Sequence, residues 1–193
     1  MNFRRTVWAC LLLWMCVSCF GHEPELRIAA NREPGICRVA VLPFVNQTKK
    51  EGVGEMLTRI VISEMVEQGL DVTEEGVVKR FLERERYLPG TYVSANLIRK
   101  MGDEFGVRAV VGGVVTEARE VGQQVKLGFI FWVRDTRDGH FLWGTYYIRE
   151  GEDYRTVLHF GKISSMSGLA GRMVEEILQA SMKRRLFRCR VSS

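Results

Sequence analysis

At 193 residues, with 46% hydrophobic and 26% charged side chains, the chain has the length and balance of a single globular domain with a real core. Its net charge of +5 is local. Once Arg4 and Arg5 are set aside with the amino-terminal segment, 26 Lys and Arg face 23 acidic residues, and without Lys183, Arg184, Arg185, Arg188 and Arg190 only 21 do. A weakly acidic body with one basic end excludes a uniformly basic surface, and no internal repeat, low-complexity tract or second domain is present.

The first element is the segment from Arg4-Arg5 through the apolar run Val7 to Val17, which ends in small residues and Cys19. A short basic stretch, a short apolar stretch and a small-residue exit describe a secretory signal. The apolar run falls short of the ~20 residues that cross a bilayer, so it is no permanent anchor. Cys16-Val17-Ser18-Cys19 resembles the lipobox of bacterial lipoproteins, in which the last cysteine is diacylated through its sulfur and becomes the mature amino terminus. The resemblance implies a signal peptide over 1–18, lipid attachment at Cys19 and a lipidated tether over 19–36. Phe20 after the cysteine implies outer-membrane sorting, with the protein facing the periplasm. A plain cleavable signal is the other reading, because Cys16 and Ser18 also satisfy a small-x-small exit. In either case an exported chain does not meet the genome, and nucleic acid is not a partner.

Cys10 and Cys16 leave with the signal and Cys19 carries the lipid, so Cys37 and Cys189 remain as an even pair in an oxidising compartment. Either they bridge, for roughly 4–5 kcal/mol in the chain-entropy estimate, or they are two unrelated thiols. Residues 20–35 are polar, hold Pro24 and Pro34, and show no sustained periodicity, as a tether would.

The domain begins with the stretch around which the other strands are ordered. Val39-Ala40-Val41-Leu42 is too short for a helix and too apolar for an edge, so it reads as a strand covered on both faces. Pro43 cannot donate to a ladder, and pairing should weaken there. Val53, Met56, Leu57, Ile60, Val61, Met65 and Val66 fall at helical spacing until Gly69 stops them. Leu70 to Thr73 reads as a short strand. A helix over about Glu75 to Arg86 turns Val77, Val78, Phe81 and Leu82 inward, and Pro89-Gly90 breaks it. Ser94 caps a third helix that Gly106 closes. Val107 to Val115 is a buried strand, whose Gly112-Gly113 pair lacks the surroundings of a phosphate loop and points to a bulge or close helix packing.

Gln124 to Arg134 and His140 to Ile148 form two long strands, with turns at Gly122-Gln123 and Asp138-Gly139. Val125, Leu127, Phe129, Phe131 and Val133 alternate towards one face. A last helix begins near Ser165 or Ser167 with Leu169, Met173, Val174, Ile177 and Leu178 as its buried stripe. The predicted fold class is therefore α/β: a mixed five-stranded sheet with helices packed on it, in the order β-α-β-α-α-β-β-β-α. It forms a single domain over 37–183, followed by a basic tail over 184–193. That tail either meets anionic head groups or an acidic partner, or is a solvated helix end whose cations favour the carbonyl terminus of the dipole.

Three stretches carry a wider resemblance: Val39 to Phe44 with the helix through Glu64, Val107 to Glu117 (VRAVVGGVVTE), and Arg134 to Gly139 (RDTRDG) before Leu142-Trp143. They resemble the exported α/β family that includes the curli-secretion lipoprotein CsgG, the LpoB-type activators of peptidoglycan synthases and the amino-terminal domain of TolB. The resemblance implies a non-enzymatic envelope scaffold or accessory protein that docks on another envelope component or assembles with its own copies. The alternative it offers is a ring-forming subunit of an outer-membrane secretion assembly of the curli-export type. A pore of that type needs further membrane-crossing hairpins with strands of ~9–11 residues, and here the long hairpin is already needed for the sheet.

No chemistry competes with that reading. His22, His140 and His159 sit in presumed loops, and H-E-x-x-H, C-x-x-C and G-x-S-x-G are all missing. Asp135 and Asp138 share a turn, where Asp caps its own backbone, and Glu64 with Glu67 lie on the polar side of a helix. No catalytic residue, metal or cofactor is expected. The better lead is the aromatic hairpin, in which Trp132 and Tyr146, with Ile130 and Ile148, lie opposite the buried face. Trp132 and Tyr146 form the candidate partner patch unless helices cover that side.

Overall fold

The computed structural model describes residues 23–29, 35–156 and 161–189. Seven strands and four α-helices are found among them: β1 (Arg27–Ile28), β2 (Arg38–Val41), β3 (Val45–Asn46), α1 (Val53–Glu67), β4 (Asp71–Val72), α2 (Glu75–Arg84), α3 (Ala95–Phe105), β5 (Ala109–Val121), β6 (Gln124–Asp135), β7 (Phe141–Glu150) and α4 (Met166–Lys183). A 3-10 turn, Gly151–Tyr154, leads out of β7. The strands form one mixed sheet in the order β1-β7-β6-β5-β2-β4, with β3 also beside β5. β2 runs parallel to β4 and β5, and β5, β6 and β7 form an antiparallel meander.

The sheet is α/β and mixed, as expected, but has seven strands rather than five. One addition comes from Pro43. The run after Cys37 is two strands, since β2 ends at Val41 and β3 resumes at Val45, both parallel to β5. The Phe44 N–H, turned out of the ladder by the interruption, donates to the Thr58 hydroxyl at 2.8 Å, and that hydroxyl donates to the Gly54 carbonyl at 2.8 Å. A buried amide that leaves a sheet must find another acceptor, and α1 supplies it.

The other addition, β1, lies inside the stretch read as a tether. Arg27 pairs with Gly144 and Ile28 with Trp143, while Leu26 is buried. The expected tail also belongs to the domain: Leu186 and Phe187 are buried, and Ile36 bridges to Phe187. The folded unit therefore runs through 23–29 and 161–189 instead of spanning 37–183, because both flanks carry apolar side chains that complete the core. Cys37 and Cys189 stand with Cα atoms 4.6 Å apart and are joined by a disulfide across 152 residues.

Two cores result. On one face α1 and α4 pack on Val39, Val41, Phe129, Phe131, Val133 and Trp143. On the other, α2 and α3 pack on Ala40, Leu42 and Val110. Val39, Ala40, Val41 and Leu42 are thus buried on alternating faces, which is why this run is continuously apolar. The Ser94 and Ser165 hydroxyls cap α3 and α4 by accepting from Leu97 and Gly168 N–H at 3.1 and 3.2 Å.

Candidate functional site

The period of two along β6 sends Val125, Leu127, Phe129, Phe131 and Val133 into the first core, where each is at most 3% exposed. The intervening residues face the other way. On that side α2 and α3 pack over β2 and the near end of β5, and the far half of the hairpin stays open: Ile130, Phe141 and Tyr146 are 40%, 45% and 58% exposed. Ile130 lies directly opposite Tyr146 and Val114 in the ladder. Helices thus cover only part of this face, because two short helices cannot span a sheet of this width.

Three glycines floor the open face. The Trp132 ring lies over Gly112, whose Cβ would fall 2.4 Å from it; Phe141 lies over Gly144 and Ile148 over Gly128. The Gly112-Gly113 pair is therefore neither a bulge nor a helix contact. Gly113 admits the Phe44 ring from the opposite side, and the bulge in this strand falls between Val115 and Glu117. Large side chains resting on in-strand glycines keep the floor flat. Of the two residues expected to form the patch, Tyr146 projects into solvent. Trp132 is half-buried against the second core and forms the wall between the patch and an adjoining cleft.

That cleft, about 490 Å³, runs from Pro43 past Trp132 to Phe141, with Tyr92 on its far rim. Arg134 shapes it. Its guanidinium donates to the Gly139 carbonyl at 2.7 Å and to the Val93 carbonyl at 2.5 Å, clamping the loop before α3 to the β6–β7 turn. The turn is held from beneath by Asp135, 4% exposed, which accepts from the Arg137 backbone at 2.8 Å and guanidinium at 2.8 Å and lies 3.6 Å from Arg108. Burial pushes the Asp135 carboxyl up, but the Arg137 hydrogen bonds and the charges of Arg108 and Arg137 outweigh it and hold the carboxyl below its usual range. Asp138 caps the turn by accepting from the His140 N–H at 2.8 Å. Both aspartates bond the backbone two residues on, as Asx turns do; the Asp135–Arg108 contact had no signal in the sequence.

On the opposite face, Glu176 accepts from the Tyr147 and Tyr154 hydroxyls at 2.6 and 2.9 Å, tying β7 and the 3-10 turn to α4. Burial and then the carboxylate push both phenols upward. Glu64 of α1 is raised by burial and by the nearby Glu67 and Glu175. Among the described residues, no group of three or more His, Cys, Asp or Glu side chains is placed to hold a metal. His140 is exposed beside Asp138. Cys19, His22 and His159 lie outside the described residues, and no described helix is long and apolar enough to cross a membrane.

The class these features define is a mixed α/β sheet with helices on both faces and one uncovered aromatic hairpin. No family model and no curated protein matches the chain. Among solved structures, a PelC dodecamer from Paraburkholderia phytofirmans matches with a TM-score of 0.56 at 19% identity, covering 86% of this chain and 99% of that one. A variant of that dodecamer matches at 0.55 and 19%, covering 81% and 97%. Lipoprotein GNA1162 from Neisseria meningitidis matches at 0.50 and 21%, covering 74% and 94%. At these identities the likeness is one of fold, and it is an α/β fold that a solved lipoprotein carries.

Proposed function

We propose that the chain is a lipid-anchored, non-enzymatic accessory protein of the bacterial envelope. Cys19 holds it to the outer membrane on the periplasmic side, and the open face of the β6–β7 hairpin docks another envelope component. The observation that carries the docking role is the exposure of Ile130, Phe141 and Tyr146 on the one part of the sheet that the helices on its two faces leave uncovered. Exposed aromatic and aliphatic side chains grouped on one flat surface mark contact sites. The lipobox-like Cys16-Val17-Ser18-Cys19 supports the anchor.

A second reading, a ring built from copies of this chain, draws support from the PelC structures, which were solved as dodecamers. The test is crosslinking in intact envelopes followed by native mass in detergent. Ile130→Asp with Tyr146→Asp should abolish the crosslinked species while leaving the thermal midpoint within a few degrees. A crosslinked partner of different mass supports the accessory role, and a multiple of the chain's own mass supports the ring. Unchanged crosslinking in the double variant overturns the docking face. Palmitate label that persists in Cys19→Ala overturns the anchor.

A further inference from the structure

Backbone donors close the end of α4. Arg184 N–H bonds the Ala180 carbonyl at 3.3 Å, Arg185 N–H the Met182 carbonyl at 2.8 Å and Leu186 N–H the Ser181 carbonyl at 2.9 Å, with Arg185 in the left-handed conformation at φ 56°. Backbone donors already occupy the last carbonyls, as in a Schellman motif. Lys183, Arg184, Arg185 and Arg188 are all exposed, and Arg185 and Arg188 lie beyond the helix. They are not on a loose tail: Leu186 and Phe187 are buried, the Arg188 N–H donates to the Ile36 carbonyl at 2.9 Å, and the Cys37–Cys189 bridge follows. The fold presents these four cations on a fixed surface.

The amino-terminal strap, residues 23–29, arrives at the same place. Glu23 lies 3.3 Å from Lys183, and Arg184 reaches the Leu26 carbonyl at 3.4 Å. Glu23 and Glu25 are the acidic groups of the strap, and the first is already paired; Arg27 adds a further exposed cation. Cys19 stands four residues before Glu23, a span of at most roughly 14 Å. The β5–β6 turn lies at the other end of a thirteen-residue strand, on the order of 40 Å away. An acyl chain on Cys19 therefore brings the α4 end of the domain within about one or two Debye lengths of the bilayer.

We infer that Lys183, Arg184, Arg185 and Arg188 form a docking surface for anionic phospholipid head groups of the membrane that holds Cys19, so that the domain stands on its α4 end. This inference rests on the lipid anchor at Cys19. Cations near an anionic surface each contribute about fivefold in affinity, and the effect falls with salt.

The test uses the full chain carrying Cys19→Ala, which cannot be acylated, compared with the same chain also carrying Arg185→Gln and Arg188→Gln. Both retain residues 1–18, so the difference between them reports the cations alone. On phosphatidylcholine vesicles containing phosphatidylglycerol, the parent should bind on the order of 20-fold more tightly, and the difference should vanish on pure phosphatidylcholine and in high salt. Equal binding of the two chains, or a difference that persists on neutral vesicles, overturns the inference. Because neither chain is acylated, that failure is distinct from failure of the anchor, which palmitate labelling of the wild-type chain reads separately. Matching near-ultraviolet circular dichroism of the two chains confirms that the substitutions leave the fold intact.

Discussion

Residues 129 to 132 of β6 place Phe-Ile-Phe-Trp on alternate sides of one sheet, and the two sides have opposite fates. Phe129 and Phe131 are fully buried, with Phe131 stacked on Trp143 at 5.4 Å and tilted against Phe44 at 6.1 Å. Ile130 is 40% exposed and Trp132 half-buried. Hydrophobicity does not separate the two sets. What separates them is the reach of the covering helices: α1 and α4 span the first face, whereas α2 and α3 stop short of the hairpin on the second. An apolar residue left outside a core by topology is therefore a stronger pointer to a contact surface than its composition alone.

The largest expected effect breaks the covered side. Leu186 and Phe187 seal it at the α4 end, Phe187 packing edge-on against Trp143 at 5.3 Å, and the bridge across 152 residues holds them there. Cys189→Ser should cost roughly 4–5 kcal/mol by the loop-entropy estimate, read as a fall in the urea midpoint that reductant reproduces in the wild type. Next, Phe131→Ala should cost about 3–5 kcal/mol, while Ile130→Ala on the adjacent residue should stay within ~0.5 kcal/mol. Urea titration of both checks the asymmetry between faces directly.

The hairpin turn beside the open face is held by charge, and acid should find it. The Asp135 carboxyl is lowered in the fold, so its ionised form contributes stability that is present above the unfolded value of ~3.9 and is lost as pH falls through the folded one. Asp135→Asn should cost ~1.5–3 kcal/mol near neutrality, with the gap to wild type narrowing in acid. The smallest effect has the opposite sign. Glu64 is raised, so its ionisation opposes folding and stability is lost as pH rises through its folded value. Glu64→Gln should gain about 0.3–0.5 kcal/mol at neutral pH, seen as a thermal midpoint higher by about 1–2 °C, and the gain should disappear in acid.

Legibility followed the range of the interaction. The stops of α1 and α3 could be read because Gly69 and Gly106 take left-handed conformations at φ 80° and 63°. The ends of α2 and α4 were blurred because Arg86 and Arg185 fill the same role without the glycine signature. β1 and β3 are two residues each, too short for any period, and exist because a neighbouring strand offers a free edge. Within the site, Tyr146 and Trp132 were legible from alternation. The cleft, the Arg134 clamp and the Asp135–Arg108 contact were not, since they join residues as far as 41 positions apart.

The sequence by itself determined the α/β pattern, the alternating faces of β6, the serine caps and the lipobox-like cysteine, because each is written in neighbouring residues with a fixed local geometry. Only the tertiary structure decided which apolar face stays uncovered, that both chain flanks complete the core, and that the basic turn and the amino-terminal strap share one end of the domain. Those outcomes depend on where helices of given length land on a sheet of given width, a spatial relation that no local run of residues encodes.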